Sequence, residues 1–144
     1  MKRIIMVISF FFIVLNFLIA QNKNMENITC QQAFDLIQKF NNDTNFIIID
    51  LRPESNYNEE HIENSIYYDV FSDDFENWVS KLNIDKVYLL YCTIGHRSGI
   101  ALNKMKEMGF RNLYHLYEGI QEWKKQGFMT VKNNIPCQHK KIDL

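Results

Sequence analysis

A chain of 144 residues suits one domain and is too short for two comfortable ones. Apolar residues make up 47% and aromatic residues 14%, enough for a real core, and a formal charge of −1 with no basic block gives composition nothing to offer nucleic acid. Three cysteines, Cys30, Cys92 and Cys137, match no zinc spacing, and in an oxidising compartment an odd count fits one pair plus one free thiol.

Met1-Lys2-Arg3 precedes a run from Ile4 to Ala20 that is apolar except for Ser9 and Asn16. A positive start, an apolar stretch and a small residue at Ala20 predict a signal peptide over residues 1–20 and a periplasmic or secreted protein. The run approaches the ~20 residues of a spanning helix. An uncleaved anchor is therefore the alternative, and only then would a membrane be a partner.

Residues 21–27 read as a polar linker to a domain at 28–130. Thr29 can cap a helix whose apolar face is Ala33, Phe34, Ile37 and Phe40. Phe46 to Ile49 is continuously apolar, as in a strand covered on both faces, and it ends at Asp50. A long surface loop with Pro53 follows. A short strand is expected within Ile66–Val70, then a helix from Ser72 or Asp73 to Leu82. Val87 to Tyr91 is the next strand. The helix after it should turn Ala101, Leu102, Met105 and Met108 inward and stop at Gly109. Asn112 to Leu116 reads as the last parallel strand, Trp123 as core, Gly127 as a helix end and 131–144 as a polar tail. Strands alternating with helices predict an α/β domain, with a mostly parallel central sheet and helices on both faces.

The chemistry concentrates at Cys92-Thr93-Ile94-Gly95-His96-Arg97-Ser98. In an open α/β sheet, ligands sit beyond the carboxyl ends of the strands, and Cys92 follows a strand directly. A tight loop around one sulfur turns backbone N–H groups inward as a nest for an anion. The helix expected after Arg97 adds its positive end, and Arg97 and His96 add charge. These effects favour an anionic, nucleophilic sulfur over an inert buried thiol.

This stretch resembles the active-site loop of the rhodanese family, C-x-x-G-x-R-[ST]. Asp50 to Ser65 resembles a second family motif, D-x-R-x-x-x-x-[FY]-x-x-G-H-I-x-G-A, through Asp50, Arg52, Tyr57, His61 and Ile62. Glu60, Asn64 and Ser65 replace its Gly, Gly and Ala, and Tyr67 stands where an Asn is usual. Glu118 to Trp123 resembles the closing G-G-x-x-x-W, with Glu118 for the first Gly. The resemblance implies a single rhodanese-like domain with sulfurtransferase activity and no cofactor or metal. Cys92 would take a sulfane sulfur from a small donor, thiosulfate or a persulfide. It would pass that sulfur, as a Cys92 persulfide, to a thiophilic acceptor such as cyanide or a thiol. Thr93 to Ser98 would form the loop that holds the donor. Asp50 and Arg52 are expected as a structural ion pair at the sheet edge, and His61 as a hydrogen-bonded loop residue.

Three alternatives remain at this level. Cysteine phosphatases use C-x₅-R, and the shorter C-x₄-R ring suits a sulfur atom better than a phosphate. A non-enzymatic binding module commonly lacks the cysteine kept here. A redox sensor would pair Cys92 with Cys30 or Cys137. A Cys30–Cys137 bond would instead leave Cys92 free.

Overall fold

The computed structural model describes residues 24–132. The strands are β1 (Asn24–Ile28), β2 (Phe46–Asp50), β3 (Ile66–Tyr67), β4 (Val87–Tyr91) and β5 (Asn112–Leu116). The helices are α1 (Cys30–Lys39), α2 (Glu54–Glu59), α3 (Phe75–Val79), α4 (His96–Glu107) and α5 (Gly119–Lys125). One parallel sheet has the order β1-β5-β4-β2-β3. Side chains alternate across it, as strand geometry requires. Tyr88 and Leu90 point into a core with Ile49, Leu113, Phe75 and Val79 of α3, and Ala101 and Met105 of α4. Leu89 and Tyr91 point into the opposite core with Ile48, Leu116, Ala33 of α1, and Ile120 and Trp123 of α5. Helices therefore cover both faces, which explains the uninterrupted apolar run of β2.

Local chemistry sets the helix ends. Thr29 caps α1 as expected: its side chain accepts from the Gln32 N–H, and the Gln32 side chain accepts from the Thr29 N–H. α4 closes on paired bonds from Gly109 N–H to the Lys106 carbonyl and from Phe110 N–H to the Met105 carbonyl.

Several expectations need correction. Residues 24–27 are not linker but most of β1, which pairs along its length with β5. The surface loop after Pro53 contains the one-and-a-half turns of α2. The helix expected to run to Leu82 spans only Phe75–Val79. Met108 is not inward: it is 36% exposed, beyond the last helical residue. Val131, assigned to the tail, forms an antiparallel bridge with His61, bonded in both directions at 2.9 Å. The expected signal peptide or anchor, the rest of the tail, and Cys137 with any bond to Cys30 lie outside the described residues.

Candidate active site

From β2 the chain moves to β3 on one side, and from β4 it moves to β5 on the other. The carboxyl ends of β2 and β4 thus flank the point where the sheet changes direction, the usual position of a ligand crevice. Cys92 leaves β4 there, and Asp50 and Arg52 leave β2 beside it, with Asp50 in register with Tyr91.

The Cys92 loop is shorter than the sequence suggested. α4 begins at His96, so His96, Arg97 and Ser98 form its first turn rather than the loop's end. Gly95 is the N-cap, with φ of 86° and no side-chain cap. A Cβ there would run into the Tyr117 carbonyl. A Cβ at Gly119, φ 72°, would run into the Thr93 carbonyl. These two contacts demand glycine and clamp the Cys92 loop to the β5–α5 turn. Backbone bonds complete the clamp: Ile120 N–H to the Cys92 carbonyl at 2.8 Å and Gln121 N–H to the Thr93 carbonyl at 3.1 Å. Among the described residues, no backbone carbonyl accepts from the N–H groups of Thr93 to Ser98. They are the open donors of an uncapped helix end.

Cys92 is 1% exposed, and the Ser98 hydroxyl lies 3.5 Å from its Sγ. His96 is exposed. Arg97 is half-buried, its guanidinium 5.9 Å from the Phe71 ring centroid, and it forms no ion pair among the described residues. Ile94 is 63% exposed, and Phe71 and Tyr117 are also exposed. No cluster among the described residues could hold a metal ion.

Asp50 and Arg52 form the expected ion pair, but on an inner strand, not a sheet edge. Arg52 Nε lies 2.9 and 3.0 Å from the two carboxylate oxygens, and its Nη2 reaches Oδ2 at 2.7 Å and the Glu60 carbonyl at 2.6 Å. Burial alone would lower the Arg52 pKa, yet the bonds and charge of Asp50 raise it. Tyr91 ties the second loop down: its hydroxyl accepts from Ile62 N–H at 3.1 Å and meets Ser65 Oγ at 3.1 Å. Burial, chiefly, holds that phenol well above its ordinary pKa. His61 is a buried loop residue, as expected, with Nδ1 2.8 Å from the Tyr57 carbonyl and its ring stacked on Tyr57.

Two neighbours escaped the sequence reading. His115 of β5 is buried, with Nε2 at 3.0 Å from Ser98 Oγ and 3.1 Å from the Gly95 carbonyl, and Nδ1 at 2.9 Å from Asn27 Oδ1. Glu118 accepts the Cys30 N–H at 2.7 Å, capping α1 from 88 residues away. A lone histidine in a strand carries no local signal. Glu118 was visible only as a departure from a Gly-Gly pair.

A family model described as a rhodanese-like domain matches residues 33–126. The thiosulfate sulfurtransferase GlpE of Coxiella burnetii is 28% identical over 99 residues, covering 69% of this chain and 87% of that protein. The tRNA uridine(34) hydroxylase of Pectobacterium carotovorum is 30% identical over 107 residues, covering 72% of this chain but 30% of that protein. A rhodanese-related protein of Thermoplasma volcanium has a solved structure that matches with a TM-score of 0.60 at 25% identity, covering 74% of this chain and 97% of that one.

Proposed function

We propose that this chain, which belongs to the rhodanese-like domain family, transfers a sulfane sulfur through a persulfide on Cys92. The Cys92 thiolate attacks the outer sulfur of thiosulfate, the S–S bond of the donor breaks, and sulfite leaves with the bonding pair. The persulfide keeps one negative charge, which the free N–H groups of Thr93 to Ser98 are free to bind. Cyanide or a thiol then takes the outer sulfur, and Cys92 departs as the thiolate. This is nucleophilic catalysis in two half-reactions, with ping-pong kinetics.

The observation that carries the reading is the uncapped end of α4 directly after Cys92. A strand end, four residues and a helix start leave a run of open N–H donors immediately after Cys92 in the chain, and Arg97 stands among them without a carboxylate partner among the described residues. The near-complete burial of Cys92 suits a small donor. The C-x₄-R spacing argues against phosphate, whose three oxygens need a wider ring.

Steady-state kinetics with thiosulfate and cyanide test this, with an aryl phosphate as control. Parallel double-reciprocal lines and negligible phosphate release are expected. Arg97→Ala should lower kcat/KM at least about tenfold, since hydrogen bonds to charged groups are worth ~1.5–3 kcal/mol. Brisk phosphate release without sulfur transfer would turn the assignment to a phosphatase.

Export belongs to the same proposal, on the Lys2-Arg3 start and the apolar run to Ala20. N-terminal sequencing should find a mature chain beginning near Gln21. A retained Met1 in a membrane fraction would point to the anchor.

A further inference from the structure

The Ser98 hydroxyl has one proton and three buried neighbours able to accept it. Cys92 Sγ lies at 3.5 Å, the Gly95 carbonyl at 3.2 Å and His115 Nε2 at 3.0 Å. A serine in a helix readily bonds back to the carbonyl three residues earlier, here that of Gly95. Whether the sulfur receives a hydrogen bond therefore depends on what occupies the other two acceptors.

His115 decides that competition. Its Nε2 faces the Gly95 carbonyl at 3.1 Å as well as Ser98. A carbonyl oxygen only accepts, so this pairing assigns the proton to Nε2. Nδ1 then takes the acceptor role, which requires the Asn27 amide turned end for end, so that its NH₂ rather than Oδ1 stands 2.9 Å from the ring. With Nε2–H shared between the Gly95 carbonyl and Ser98 Oγ, the carbonyl is satisfied and the ring offers Ser98 no lone pair. Only Cys92 Sγ remains for the serine proton. We propose that His115 is a positioning residue for Cys92, which aims the Ser98 hydroxyl at the sulfur by holding Nε2–H against Gly95 and Ser98.

Burial lowers the His115 pKa against the opposing pull of the Gly95 carbonyl, keeping the ring in the neutral form this arrangement uses. Its hydrogen-bond partners from β1, the Cys92 loop and α4 are all uncharged. The relay Asn27–His115–Ser98–Cys92 also gives the edge strand β1 a link to the nucleophile. In turnover the Ser98 bond would stabilise Cys92 both as the attacking thiolate and as the thiolate that leaves when the acceptor takes the outer sulfur. That consequence rests on the sulfur-transfer reading, but the bond to the sulfur does not.

The test reads both levels on the full chain. Iodoacetamide alkylation of Cys92 is followed at one neutral pH by peptide mapping. Ser98→Ala and His115→Leu should each slow it by about tenfold or more. The double variant should be no slower than either single one, because both remove the same bond. His115→Gln, whose amide N–H can stand in for Nε2–H, should recover most of the rate. In sulfur transfer, kcat should fall by a matching factor while KM for thiosulfate holds. Additive losses, unchanged alkylation in His115→Leu, or no recovery in a folded His115→Gln would each overturn the proposal. If His115→Leu does not fold, His115→Phe serves the same comparisons, keeping a ring and losing both nitrogens. The expected alkylation pattern in a protein that moves no sulfur would uphold the positioning role and reject the sulfurtransferase.

Discussion

Cys30 and Cys92 are both buried; Cys30 is the first residue of α1, and Cys92 follows β4 four residues ahead of α4. The two helix ends are finished differently. At α1 the Thr29–Gln32 capping box and the Glu118 carboxylate take up N–H groups, so the positive end of the helix is already answered. Burial first, and then the hydrogen bond and charge of Glu118, push the Cys30 thiol up to about 12. At α4 the cap is Gly95 with no side chain to offer, and the N–H groups after Cys92 stay open. A helix dipole thus does not by itself make a cysteine reactive. What matters is whether the end has been filled by a carboxylate or left for an incoming anion.

The largest effect should come from exchanging the two thiols. Cys92→Ala should abolish sulfur transfer, while Cys30→Ala should retain it, measured with thiosulfate and cyanide. Loss of transfer in Cys30→Ala would erase the contrast and favour a redox pair. The support under Cys92 comes next. Asp50→Ala leaves the Arg52 guanidinium buried without its partner, so urea unfolding should show a loss of about 3–5 kcal/mol. Glu118→Gln keeps an acceptor for the Cys30 N–H and removes its charge. The Cys30 pKa should drop from about 12, and its alkylation should quicken without reaching that of Cys92.

The smallest effect is on stability against pH. His115 has a folded-state pKa below its ordinary 6.5, because burial disfavours the imidazolium. At and below pH 6.5 the unfolded chain binds this proton more readily than the folded one. The stability contribution is therefore whole above 6.5 and is lost as pH falls from there through the lower folded value. Denaturant midpoints between pH 7.5 and 5 should show this slope, and His115→Gln should flatten it.

Much of the fold was legible because it is local. A continuous apolar run marks β2, a strand running into a cysteine marks β4, and Thr29 ahead of an apolar face at helical spacing marks the start of α1. Asn64 adopts φ of 63°, as a stand-in for glycine must. Three other family departures resolve in the geometry. Glu60 and Glu118 sit at negative φ, where no glycine is required, and Ser65 spends its hydroxyl on Tyr91. What was hidden is non-local. Asn-Met-Glu-Asn-Ile has no strand pattern because β1 is a mostly exposed edge, specified by its pairing with β5. The helix start at His96 was masked by reading Arg97 as loop. His115 became visible only when folding brought β5 against the first turn of α4.

The central claim is that Cys92 carries the sulfur, and intact mass tests it most directly. Wild-type protein given thiosulfate should gain one sulfur atom, localised to Cys92, and cyanide should remove it. Cys92→Ala should gain none. No adduct on a wild-type protein whose Cys92 alkylates readily, or an adduct that persists in Cys92→Ala, would contradict the account.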